Sequence, residues 1–189
     1  MTEQEFFTVH HSLTANIEPL PQEFILPSQT QFEAEIPAPF IVASEFSQLD
    51  LMADNARMEL KNSDFKHVIG LLETQNSKLN LLLSFMLSQQ DEPELRTHTY
   101  SFGASQFSYH STKAVTPGTK VRAKLFLECP AAAIYCYAEV NTCSEKENGF
   151  EVQLKYVLLR DADQDLLIKA ALHQQQKLLR QRSLDRDNQ

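Results

Sequence analysis

The sequence predicts an α+β fold that is mainly β: a small antiparallel β-barrel with a C-terminal helix, preceded by a long, heptad-patterned helix pair. Three patterns carry that prediction. Apolar residues recur at helical spacing between Phe46 and Met86, the period switches to two after Pro93, and a last helical pattern follows Asp161. These changes divide the chain into an acidic, Pro-rich arm (1–40), a helical region (41–92) and a barrel with its terminal helix (93–189).

In the arm, "SLTANIEPL" alternates Leu13, Ala15 and Ile17, while Pro19, Pro21, Pro27, Pro37 and Pro39 interrupt any helix or central strand. One or two edge strands joined by extended segments are expected, because proline cannot donate to a sheet ladder. In "ASEFSQLDLMADNARMELKN" the residues Phe46, Leu49, Ala53, Ala56 and Leu60 fall on one helical stripe, with Ser44 as N-cap. "NSDF" breaks the pattern, and Ser63 starts the next helix.

The second helical pattern is longer. Phe65, Leu72, Leu79 and Met86 lie one heptad apart, Val68 and Leu82 fill intervening positions, and Ile69 and Leu83 widen the stripe. A helix over 64–90 is a rod about 40 Å long at roughly 1.5 Å per residue. Such a stripe fits either a hairpin packed on its own domain or self-association, and the rod exceeds what a small β domain covers. Gln75 and Gln89, at core-type positions, would then help set register or strand number.

Beyond Pro93, "TKVRAKLFLE" alternates Val121, Ala123, Leu125 and Leu127 against Lys120, Arg122, Lys124 and Phe126. "AAAIYCYAEVNTC" favours strand, and "GFEVQLKYVLL" turns Phe150, Val152, Leu154, Tyr156 and Leu158 to one face. Pro117-Gly118 and Asn148-Gly149 supply turns. Phe107 and Tyr109 alternate into the core of a first strand within "HTYSFGASQFSYHS". A short meander has unpaired edges, so closure into a barrel follows. Asp161 is placed to cap the last helix, Asp163 and Asp165 suit its positive end, and the tail "RQRSLDRDNQ" is expected to fray.

Charge and composition narrow the function. Residues 1–60 hold ten acids and one base, within a net charge of −8, which argues against a nucleic-acid polymer as partner. With only four glycines, phosphate-cradling loops are nearly excluded. Cys129, Cys136 and Cys143 lack metal-ligand spacing and read as buried reduced thiols. The histidines show no zinc spacing and read as surface or interface residues, and no serine sits in a nucleophile elbow. No catalytic or metal site is expected. Nor is a membrane span or secretory leader, and a cytoplasmic location follows.

From about Arg96 to Arg182 the order of parts resembles a PilZ domain, carried by "PGTKVRAKLFL" and by "NGFEVQLKYVLLRDADQDLLIKAALHQQQKLLRQR". That resemblance implies a six-stranded antiparallel barrel with a C-terminal helix, which in bacteria commonly binds cyclic di-GMP. The family grips the nucleotide with Arg-x-x-x-Arg before the barrel and Asp/Asn-x-Ser-x-x-Gly on the first strand. Here Ser101, Gly103 and Gln106 stand at the three defining positions of the second motif, and Arg96 has Glu92 and Tyr100 at the spacings of the first. A dianion would meet Glu92 and Glu94 rather than paired guanidiniums. The chain also resembles an atypical subgroup in which inserted helices assemble tetramers and the nucleotide motifs are missing.

The expected function is therefore a non-catalytic homo-oligomer of bacterial signalling, acting through an unidentified signalling protein, with Phe65, Val68, Leu72, Leu79, Leu82 and Met86 as its assembly core. No cofactor is implied by this reading. The alternative is a cyclic di-GMP receptor with a non-standard site using Arg96, Ser101, Gly103 and Ser105. A barrel-and-helix scaffold unrelated to PilZ is a third reading.

Overall fold

The computed structural model describes residues 8–60 and 65–187. Its strands are β1 (Thr8–His10), β2 (Thr14–Pro19), β3 (Arg96–Gly103), β4 (Gln106–Ser111), β5 (Lys120–Leu127), β6 (Ala132–Lys146) and β7 (Gly149–Leu158). The helices are α1 (Gln29–Glu35), α2 (Ala38–Leu60), α3 (Lys66–Ser88) and α4 (Asp161–Asp187).

All strand pairings are antiparallel, in the order β3-β2-β5-β6-β7-β4, and β4 returns to β3. The result is a closed six-stranded barrel with β1 continuing the line of β2 along β3. Closure removes the exposed edges that a meander would leave.

The alternation in β5 sets the core. Val121, Ala123 and Leu125 are wholly buried, and Leu127 nearly so. In β6 the run from Ala132 to Ala138 is buried on both faces, because one side fills the barrel while α1 and α2 cover the other. Phe32 of α1 stacks on Tyr135 at 5.9 Å, and Phe40 of α2 meets Phe126 edge-on at 6.0 Å. Both phenylalanines are fully buried. Gly118 and Gly149 occupy positive φ, 84° and 134°, as the turns require. A Cβ on Gly149 would stand 2.5 Å from the Ser111 carbonyl oxygen, so no other residue fits the turn without displacing backbone.

Several expectations are corrected. The N-terminal strands are not edge strands: β2 lies between β3 and β5 and closes the barrel, with Pro19 tolerated as its final residue. "HTYSFGASQFSYHS" is a hairpin rather than one strand, with Ala104 and Ser105 between β3 and β4. α1 was not anticipated, although Ser28 and Gln31 form a capping box at its start. Ser44 is no N-cap. α2 begins six residues earlier, where the Pro37 carbonyl accepts the Phe40 N–H at 2.9 Å. Its buried face is Phe40, Ala43, Ser44 and Ser47, whereas Leu49 of the expected stripe is exposed. Ser63 lies outside the described residues.

At α4, Asp161 is already helical, and the Arg160 carbonyl accepts from Asp163 and Gln164. The helix continues through Asp187, into the tail expected to fray. Among the thiols, Cys136 is buried, Cys143 half-buried and Cys129 exposed, so the buried reading fails for Cys129.

Candidate assembly surface and barrel face

α3 divides its surface between two duties. Leu83 and Leu87 are buried against the protein's own barrel, while Ile69, Asn76 and Asn80 are half-buried along the same side of the helix. Asn76 donates from Nδ2 to Asp50 Oδ1 of α2 at 3.2 Å, tying the two helices together. The heptad stripe faces elsewhere. Phe65, Val68, Leu72, Leu79, Leu82 and Met86 are 57, 46, 47, 46, 63 and 44% exposed, and Leu71 and Phe85 flank them in the open. Of the two sequence readings of this helix, packing on its own domain is present, through a face rotated away from the heptad positions. At 23 residues the rod is shorter than expected, about 34 Å.

The residues named for a nucleotide site do not converge. Arg96 and Gly103 stand at opposite ends of β3, about 23 Å apart at roughly 3.3 Å per residue. The Arg96 guanidinium is held by Asp91, Nε to Oδ2 at 2.7 Å. Ser101 is buried and exchanges a 2.7 Å hydrogen bond with Ser108 across the hairpin. Gly103 is buried and in register with Thr8. The Ser105 carbonyl accepts from the Tyr156 N–H at 3.1 Å, and the Ala104 carbonyl from Gln164 Nε2 at 3.2 Å. The loop that would meet a ligand is fastened to β7 and α4. Glu92, read as repelling an anion, is paired with Lys124.

Three of the concavities among the described residues are these, all lined by other residues. A crevice of about 250 Å³ lies where the end of α3 meets β5 and β6, bounded by Ser84, Leu87, Asp91 and Glu128. A polar cleft of about 190 Å³ gathers Glu18, Glu35, Glu92, Arg122, Lys124 and Tyr135, and both of its cations are already paired. Arg122 pairs with Glu18, and Glu35 accepts from the Tyr137 hydroxyl at 2.6 Å. The widest, about 660 Å³, is an open groove beside Tyr100, His110, Lys146 and Glu151. There His10 and His110 set their rings edge-on to Tyr100, at 5.0 and 5.1 Å, from the strands either side of it. Neither cluster was legible in the sequence, because only strand register unites residues so far apart in the chain.

Burial, rather than a reactive neighbour, is the main influence on the buried titratable groups. Burial pushes the Cys136 thiol well up, and the nearby Asp163 carboxylate adds to the shift, so the sulfur stays protonated. Burial likewise raises Tyr156, whose hydroxyl has no hydrogen-bond partner. Burial lowers His11, against the opposing pull of Glu128. No group of three or more His, Cys, Asp or Glu side chains could hold a metal ion among the described residues. None of the described helices is long and apolar enough to cross a membrane.

A closed six-stranded antiparallel barrel with a C-terminal helix defines a PilZ-like domain, here with long helices between its strands. Solved structures share this fold, two of them as follows. One is the Bacillus subtilis inhibitor of motility MotI/DgrA, 11% identical with a TM-score of 0.50; the match covers 94% of this chain and 53% of that one. The chain thus spans about half the length of that protein. The other is a Xanthomonas campestris protein described as a tetrameric PilZ domain self-assembled through an unusual helical bundle. It is 14% identical with a TM-score of 0.55, and the match covers 94% of this chain and 92% of that one. No protein-family model and no curated protein matches the sequence.

Proposed function

We propose that this chain is a non-catalytic PilZ-like protein of bacterial signalling that assembles through α3, with the barrels carried outward to meet partner proteins in the cytoplasm. The carrying observation is the heptad stripe. Val68, Leu72, Leu79, Leu82 and Met86 stay 44–63% exposed although α3 already packs on its own chain through another face. Apolar side chains at this spacing, left in water on a long helix, are what a helix–helix interface between copies requires. Burying the rest of one such leucine contributes about 1 kcal/mol, so several in register outweigh the ordering of the helices. The tetrameric Xanthomonas neighbour supports a homo-oligomer of this kind.

Loss of cyclic di-GMP binding is part of the same proposal. It is supported by the separation of Arg96 from the β3–β4 loop and by the partners that occupy Arg96, Ser101 and Ser105. Size-exclusion chromatography with light scattering tests the assembly. A particle of several chain masses is expected, and Leu72→Asp should return it to monomer with unchanged circular dichroism.

A further inference from the structure

His11 lies in the link between β1 and β2, where its carbonyl accepts from the Thr99 hydroxyl at 2.9 Å and its ring stands edge-on to Phe102 at 6.2 Å. Thr99 and Phe102 are buried, so the floor beneath the imidazole is fixed. The ring itself is half-buried, and its Nε2 is enclosed without a hydrogen-bond partner among the described residues. Such a site tolerates a neutral imidazole and penalises a charged one. Two charged groups act on the ring from other elements: Glu128, just past the end of β5, and Lys177 of α4. β3 faces it with Thr99 and Phe102, which carry no charge, and the neighbouring His10 turns its ring to Tyr100 instead. α4 is anchored through Leu166, Leu167, Ala170, Ala171 and Gln174, the last of which is the final buried residue among those described. Lys177 is about one turn beyond that anchor.

We propose that His11 is an acid-sensitive latch for the outer part of α4: protonating the imidazole loosens the helix beyond Gln174 from the barrel. The proposal is independent of assembly through α3. The strand side of the contact is held, because Thr99 bonds the His11 carbonyl and the Leu13 N–H at once. The helix side has less to hold it, since every residue from Gln175 to Leu184 is exposed. In the charged ring Nε2 carries an enclosed N–H with no acceptor, and the ring repels Lys177. Moving α4 outward opens the ring to water and relieves both. Burial is the strongest influence on His11 and sets its pKa below the ordinary 6.5; Glu128 acts in the opposite sense, and Lys177 adds to the lowering. The latch therefore contributes fully above 6.5, and its contribution is lost as pH falls through the folded value.

NMR spectroscopy of the full chain from about pH 8 to about pH 5 tests this, following the His11 ring signals and the exchange protection of the α4 amides, corrected for intrinsic rates. His11 should titrate below 6.5. Amides from Gln175 to Arg182 should lose protection over the same interval, by about tenfold for each pH unit separating the His11 midpoint from 6.5. In His11→Gln that loss should vanish. Lys177→Gln, at an exposed position, should raise the His11 midpoint and shrink the loss, whereas Glu128→Gln should lower the midpoint and enlarge it. Protection in α4 that stays constant across the His11 titration, or a loss that persists in His11→Gln, overturns the latch. A His11 midpoint at or above 6.5 does the same. Loss confined to the Leu13 and Thr99 amides would place the response in the strand link and refute the proposal as well.

Discussion

Asp163 is wholly buried at the start of α4 and takes two hydrogen bonds from the Arg160 side chain, at 2.9 Å to Oδ2 and 2.6 Å to Oδ1. A buried carboxylate loses its hydration, and a bidentate guanidinium from three residues away restores part of it. Because Arg160 also offers the first helical carbonyl, the pair fastens the helix start to the end of β7. Arg160→Ala leaves the carboxylate buried without its cation and should destabilise the protein by about 3 kcal/mol in urea unfolding.

The same pair gives a pH signature of definite sign. Burial raises the Asp163 pKa, and Arg160 only partly offsets it. Between the ordinary value of 3.8 and the higher folded value, the native state binds more protons than the unfolded state. The contribution of this group to stability is therefore full below 3.8 and declines as pH rises through the folded pKa. Asp163→Asn removes that slope. The stability of wild type relative to Asp163→Asn should fall with rising pH across that interval and then level off, as measured by urea unfolding at a series of pH values.

Thr99 repairs the irregularity between β1 and β2. His10 pairs with Ser101 and Thr14 with His98, so one strand has an extra residue. The Thr99 hydroxyl donates to the His11 carbonyl at 2.9 Å and accepts from the Leu13 N–H at 2.8 Å. Thr99→Val keeps the shape and strands a buried N–H, which should cost about 1–3 kcal/mol in thermal or urea unfolding. Thr99→Ser should retain most of the stability.

Calorimetric titration with cyclic di-GMP should give no binding heat. Arg96, Ser101 and Ser105 are engaged by Asp91, Ser108 and Tyr156, and nothing in the described structure brings them to one point. Binding abolished by Arg96→Ala would restore the receptor reading.

How much of this was legible in the sequence depended on whether the signal was local. The β5 alternation, the Asn148-Gly149 turn and the long helices were readable, because each is a short-range pattern with a single geometric meaning. The place of β2 was not, because Pro19 and its neighbours look like an edge until a distant β5 closes on it. α2 was misplaced because Ser44 resembles a cap in sequence but lies inside a helix that starts at Ala38 and buries Phe40. On α3 the heptad positions were named, and the structure holds them on the exposed side; the rotated face that grips the barrel was seen only as a widening at Ile69 and Leu83. Asp163 was read as a helix-start charge, and its burial against Arg160 could not be inferred from spacing alone.

The central claim is assembly through α3. Light scattering on the eluting wild-type protein measures it most directly. A mass several times 21.6 kDa is expected, collapsing to 21.6 kDa in Leu79→Asp with the barrel still folded. A wild-type mass of 21.6 kDa at every concentration would contradict it.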